Sequence, residues 1–186
     1  MTRYRKHAFP VSNTRKFLEP GPIVLVSSRH GEARNIMTMG WHTMMEFTPA
    51  LVGCIIAGSN YSFELIRKSG ECVINLPTTD LLDTVVRIGN SDGDVLDKFK
   101  AFDLTPGKAS KVKAPLIDEC YANFECKLHD DSLVDRYNFF IFEVVAARAA
   151  LRPKQPETMH YTGMGQFTLS GKSISRRRLF TPELLN

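Results

Sequence analysis

Short polar residues in three clusters, and a lone tryptophan, mark where this sequence could do chemistry. Ser59, Asn60 and Ser62 stand just before a segment that reads as a helix, where free backbone N–H groups and the helix dipole favour a phosphate. Asn90 and Ser91 offer further short donors in a loop flanked by Gly89 and Gly93. Lys98 can bring a point charge to the same anion, or be an exposed helix lysine. Asn35 and Thr38 lie on an alternating stretch that leads through Gly40 to Trp41, whose indole can face a ring ligand or fill core. Met37, Met39, Met44 and Met45 read as core filling. His42 either tunes a bound group or caps a strand, and Asn75, before Leu76-Pro77, reads as a strand end.

Other chemistries fare badly. Gly171-Lys-Ser173 resembles the end of a P-loop, but the required earlier glycine is Gln166. Gly163-Met-Gly165 opens a dinucleotide fingerprint whose third glycine is Thr168, so it reads as a turn. Asn60-Tyr-Ser62 matches a glycosylation sequon, which needs a secreted context. There is no Gly-x-Ser-x-Gly elbow, and His7, His30, His42, His129 and His160 show no triad pattern. Arg176-Arg-Arg178 reads as a solvated run.

The bulk numbers bound the answer. The 186 residues suffice for one domain with a real core, and 43% hydrophobic with 24% charged residues is ordinary for a globular chain. A net charge of +4 suits a phosphate-bearing small ligand and is weak for nucleic acid, which wants a dense basic stripe. Cys54, Cys72, Cys120 and Cys126 form no CxxC pair and are expected as buried reduced thiols; Cys120 and Cys126 could pair in an oxidising compartment. Zinc is not expected without clustered ligands. No apolar run is long enough for a membrane span. The basic N-terminus leads into no apolar region and is interrupted by Pro10 and Pro20, so neither a signal nor a transit peptide is expected, and the cytoplasm is the expected compartment.

The elements that must position these residues can be read from periodicity. Residues 1–19 form an extended lead-in that stops at Glu19-Pro-Gly-Pro22, and 20–186 form a single domain. Strands are expected at Ile23–Ser28, Arg34–Trp41, Leu51–Ala57, Glu71–Leu76, Tyr121–His129 and Tyr137–Ala150. In the second, Ile36, Thr38 and Gly40 should face one way, and Met37, Met39 and Trp41 the other. Helices are expected at Ser62–Ser69, ended by Gly70, at Thr79–Ile88 and around Val95–Phe102, with a small hairpin about Ser170-Gly171. Strands dominate, and no strand–helix–strand unit recurs. The expected class is mainly β with short inserted helices, in a closed or split antiparallel barrel.

Four segments together resemble the flavin reductase-like family, which includes flavoredoxins and the reductase components of two-component monooxygenases. They are Asn35–His42, Ser59–Ile66, Gly70–Pro77 and Gly89–Phe99, and Leu133-Val-Asp-Arg-Tyr-Asn138 adds a fifth. The similarity runs in order from about Pro20 to Leu169. It implies an antiparallel Greek-key FMN-binding split barrel, a homodimer, and non-covalent FMN near the subunit interface. The second strand would then run beneath the flavin, with Asn35, Thr38 and backbone groups of Met37, Met39 and Gly40 on ring edge and ribityl chain. Trp41, Tyr137 and Phe167 would line the pocket, the Asn75 segment would lie beside it, and Ser59, Asn60, Ser62, Asn90, Ser91 and Lys98 would serve the phosphate end.

On that resemblance the chain would be an NAD(P)H-dependent flavin reductase, taking electrons from NADH or NADPH and releasing them to free flavin, oxygen or a protein partner. The flavin carries the reactive step, so no catalytic acid, base or nucleophile is required. Two other readings stay open: a flavoredoxin-like electron carrier, and a module holding haem or a deazaflavin in the same barrel.

Overall fold

The computed structural model describes residues 21–181, so the 1–19 lead-in lies outside the described residues. The chain begins as a tight hairpin, β1 (Val24–His30) and β2 (Ala33–Met39), with Val24 opposite Met39 and His30 opposite Ala33. Only Gly31 and Glu32 separate the strands, and Gly31 takes φ +60°, the positive value such short turns need. A second hairpin follows, β3 (His42–Phe47) and β4 (Ala50–Ile55). Helix α1 (Tyr61–Ser69) ends where Gly70 turns left-handed at φ 68°, and its N–H caps the Ile66 carbonyl. After β5 (Glu71–Leu76), a 3₁₀ turn at Thr79–Leu81 feeds α2 (Leu82–Gly89), and the four-residue α3 (Lys98–Ala101) comes next. The short pair β6 (Pro106–Gly107) and β7 (Leu116–Ile117) precedes β8 (Ala122–Asp130). The last elements are α4 (Val134–Tyr137), the long β9 (Phe139–Ala149), and the hairpin β10 (Met159–Gly163) with β11 (Gln166–Leu169).

Seven strands form one antiparallel sheet in the order β2-β1-β5-β8-β9-β4-β3. Its two edge strands, β2 and β3, are consecutive in the chain and joined only by Gly40 and Trp41. The sheet must therefore curl until its ends approach, yet no ladder joins β2 to β3. This is a split barrel, the mainly β class expected. The concave side holds Val24, Val26, Met37, Met39, Cys54, Ile74, Phe140 and Phe142, and α1 plugs one end with Phe63 and Ile66. The convex side of β1 and β2 carries Leu25 and Ile36, covered by Val85 and Ile88 of α2 and Phe99 of α3. All four cysteines are buried with free thiols.

Several expectations need correction. The second strand stops at Met39 rather than Trp41, and β3 follows as a separate strand. On β3, Met44 and Met45 are exposed rather than core. The helix expected around Val95–Phe102 shrinks to α3, because the Asp97 side chain accepts the Phe99 N–H (3.1 Å) and starts the helix there. The strand expected from Tyr137 begins at Phe139, since Val134–Tyr137 is helical and Asn138 sits at φ 55°. The C-terminal hairpin turns at Met164-Gly165, not at Ser170-Gly171. Among the described residues, no helix is long and apolar enough to cross a membrane.

Candidate functional site

A cavity of about 580 Å³ opens on the convex side, between the end of β2, helix α2 and the β10–β11 hairpin. Its floor is Thr38, Gly40 and Ile23, and Val85, Val86, Gly89 and Asn90 form one wall. Trp41, Tyr161, Gly165 and Phe167 form the other. The Thr38 hydroxyl donates to the Val85 carbonyl (2.7 Å), which pins α2 to the strand. A Cβ at Gly89 would come within 3.4 Å of Thr38, so a larger residue there would fill the floor. Tyr161 and Phe167 pack ring against ring at 5.1 Å, and the Tyr161 hydroxyl accepts the Gly165 N–H (3.3 Å). The lining holds no Asp, Glu, Lys, Arg, His or Cys. Such a pocket can hold a flat, largely apolar ring and supplies no carboxylate, amine, guanidinium, imidazole or thiol of its own.

The alternation expected for the second strand holds only as far as the strand does. Met37 and Met39 point into the barrel core and Thr38 toward the cavity. Trp41, expected on the methionine side, instead lines the same cavity as Thr38 and Gly40, because the strand has already ended.

A second polar centre lies at the barrel end plugged by α1. Asn35 donates to the Ser62 hydroxyl (3.0 Å), which also accepts from Ser28 (3.2 Å). Asn35 is buried, and its Oδ1 lacks a hydrogen-bond partner. Gly93 lies so close over it that a Cβ there would sit 2.1 Å from Asn35 Oδ1. Asn60 caps α1 by accepting the Ser62 N–H (3.0 Å), and Ser59 is exposed beside it. Tyr137 lies outside the cavity lining, half-exposed under the Arg136 guanidinium at 5.0 Å. The next residue, Asn138, accepts the Ile56 N–H (3.0 Å) and comes near Gly58, so this turn abuts the α1 N-terminus.

Other residues singled out from the sequence are committed elsewhere. Lys98 is buried, and its ammonium donates to the Ile88 carbonyl (3.0 Å) at the end of α2. Burial lowers its pKa, opposed by the Asp92 carboxylate. Ser91 donates to the same carbonyl (3.1 Å), so both residues anchor the 89–97 loop. Asn75 spends both ends of its amide in the core, with its Nδ2 on Leu25, Ser27 and Val73 and its Oδ1 accepting from Ile117 and Asn123. The Asn75 side-chain amide is thus engaged at both ends by protein groups, and Asn75 lies outside the cavity lining. His42 bonds the Pro22 carbonyl through Nε2 (2.8 Å) and lies outside the cavity lining.

Thus Thr38, Gly40, Trp41, Asn90 and Phe167 meet at one cavity, while Asn35, Asn60 and Ser62 meet at another centre. Ile23, Val85, Val86, Tyr161 and Gly165 line the cavity without having been expected there. Gly165 was legible as a turn, and nothing local linked that turn to Trp41.

Comparison with known proteins agrees with this architecture. The model of the flavin reductase like domain matches residues 17–169. An uncharacterized protein of Archaeoglobus fulgidus is 34% identical over 135 residues, covering 73% of this chain and 76% of that protein. Among solved structures, an FMN-binding domain of a flavin reductases-like enzyme from Shewanella baltica is 26% identical with a TM-score of 0.76, covering 91% of this chain and 96% of that one. The flavoredoxin of Desulfovibrio vulgaris shares the fold at 21% identity and a TM-score of 0.77, over 85% of this chain and 91% of its own. With the family model spanning most of the described fold, the chain belongs to the flavin reductase-like domain family.

Proposed function

We propose that this chain binds FMN without a covalent bond in the cavity at Trp41 and acts as an NAD(P)H-dependent flavin reductase. The observation that carries the reading is the uncharged, aromatic-walled cavity of about 580 Å³ on an edge strand. Its volume lies within the range of small-ligand sites, and its lining suits an aromatic ring system. Because β2 is an edge, half of its backbone N–H and C=O groups have no ladder partner and are free to meet polar atoms on a ring edge. That is the role left to the backbone of Met37 and Met39, whose side chains are in the core, and to the Gly40 N–H, since the Gly40 carbonyl accepts the His42 N–H (3.2 Å). Thr38 and Asn90 supply side-chain polarity, and Trp41 and Phe167 give flat walls that exclude water. Ser59, Asn60 and Ser62 at the α1 N-terminus suit the phosphate, and the unpartnered Asn35 Oδ1 suits a ribityl hydroxyl.

When bound, FMN supplies hydride acceptance and electron release, chemistry that needs no acid, base or nucleophile from the protein. The chain's own part is to hold the ring, keep one side of it dry and leave the other open. The Trp41 ring is 54% exposed at the cavity mouth, which leaves room for a nicotinamide or a redox partner to approach.

The working unit is proposed to be a cytoplasmic homodimer. Met44, Met45 and Phe47 project from β3 beside Trp41, and Phe47 is 85% exposed. An apolar edge strand of this kind calls for a cover. The experiment is anaerobic addition of NADH, then NADPH, to FMN-loaded protein. Rapid bleaching of the flavin bands is the expected result. Bands that persist with both nucleotides, yet fade with a reduced ferredoxin-like protein, would assign the chain as a flavoredoxin-type carrier instead.

A further inference from the structure

A cleft larger than the cavity at Trp41 lies elsewhere. A cleft of about 870 Å³ lies between the β1–β2 hairpin, the C-terminal end of α1 and the segment 106–115. It shares no lining residue with the cavity at Trp41. Arg34 marks one end of β2 and Thr38 the other, about 13 Å apart at the usual rise per strand residue. The buried Ile36 and Phe99 layer packs on the strand between them.

The cleft is strongly cationic. Arg29, Arg34, Lys68, Lys108 and Lys113 line it, against the single carboxylate of Glu71. That carboxylate is already engaged, because it accepts the backbone N–H of Lys113. Behind the same segment, the buried Glu125 accepts the N–H of Ser110 (2.9 Å), the N–H of Lys111 and the Ser110 hydroxyl (2.9 Å). Both acids therefore hold the backbone of the 108–113 segment in place and leave its ammonium groups uncompensated. Arg34 is turned to Asp97 (2.9 Å), and the exposed partners of Arg29 and Lys68 stand off at 3.6 Å. No carboxylate lies within ion-pair distance of Lys108 or Lys113 among the described residues. A concave, backbone-anchored wall with unpaired ammonium groups is the arrangement that attracts and concentrates small polyanions.

We infer that this cleft is a second binding site, separate from the flavin cavity, for a small phosphate-bearing anion. Lys108 and Lys113 are its principal contacts, with Arg29 and Lys68 at the rim. The concavity favours a nucleotide or diphosphate over an extended polymer, which would need a stripe rather than a cleft.

The test is isothermal titration of the full-length, FMN-saturated protein with inorganic pyrophosphate and with ADP, at about 0.15 M salt where exposed charges are largely screened. Saturable binding of both is expected, weakened ~10-fold or more in Lys108→Ala/Lys113→Ala, a loss of about 1.4 kcal/mol. A control removing two exposed lysines elsewhere, Lys154→Ala/Lys172→Ala, should bind as the parent does. Equal affinity for the two probes would mean recognition of the phosphates alone, and tighter ADP would mean a nucleotide site; either supports the assignment. Absence of saturable heat, equal binding by the cleft variant, or equal weakening in the control would overturn it. Loss of FMN uptake in the cleft variant, followed separately by flavin fluorescence, would also overturn it by making the cleft part of the cofactor site. The inference does not depend on FMN binding, so failure of the flavin reading leaves the pyrophosphate and ADP titrations interpretable.

Discussion

Asn75 and Trp41 show how differently two residues of one family segment set can be used. Asn75 ties β1, β5, β7 and β8 together through its amide, and all of these partners are buried with it. Asn75→Ala is expected to lower unfolding stability by about 3 kcal/mol in urea, because buried donors and acceptors lose their partners. In whatever fraction stays folded, FMN affinity should be unchanged. Trp41→Ala should do the reverse, since a half-exposed ring contributes little to the core and much to a cavity wall. Glu125 adds a pH signature. Burial alone would raise its pKa, but the Ser110 and Lys111 N–H groups, the Ser110 hydroxyl and Arg148 outweigh that and hold it below its ordinary 4.5. A carboxylate depressed in the folded state contributes stability that is complete above its unfolded pKa and is lost as pH falls through the folded one. Glu125→Gln should therefore cost about 2 kcal/mol at neutral pH. The gap between parent and variant should close as the pH of the urea melts is lowered through the depressed pKa of Glu125.

At the scale of elements, Gly53 shows why β4 needs a residue without a side chain. A Cβ there would sit 2.5 Å from the Phe139 ring and 2.8 Å from the Met45 sulfur. Gly53→Ala should push β3 and β9 off β4 and lower the thermal midpoint, at a cost of about 1–3 kcal/mol. Strand β5 and helix α1 were legible from local chemistry, since Gly70 must turn left-handed between them and Pro77 stops the strand. Strand β3 was not. Its Thr43-Met-Met-Glu-Phe47 run is exposed throughout, so no buried alternation marks it. Half the cavity was legible on the same grounds, because Thr38, Gly40, Trp41 and Asn90 sit in segments with local character. Ile23, Val86 and Tyr161 belong to it only because the curled sheet brings elements from distant parts of the chain together. Lys98, expected either at a phosphate or as an exposed helix lysine, is not exposed. A lysine with the right spacing for a phosphate is instead buried against the end of α2, where a cation complements the helix dipole.

At the scale of the whole molecule, the curled sheet leaves two unpaired edges, and the cavity and the apolar β3 face both lie where those edges meet. A second copy covering Met44, Met45 and Phe47 would shield the β3 edge and stand close to the cavity mouth. Phe47→Asp should shift sedimentation from dimer to monomer and weaken FMN retention together, whereas an unchanged dimer would place the subunit contact elsewhere. Beside that edge, the cavity at Trp41 is the proposed FMN site. Its most direct test is a titration of FMN-free protein with FMN followed by flavin fluorescence, run beside Trp41→Ala and Phe167→Ala. Saturation at one FMN per chain is expected, with each variant weakened by ~10-fold or more, about 1.4 kcal/mol. Failure to bind FMN, or equal affinity in parent and both variants, would contradict it.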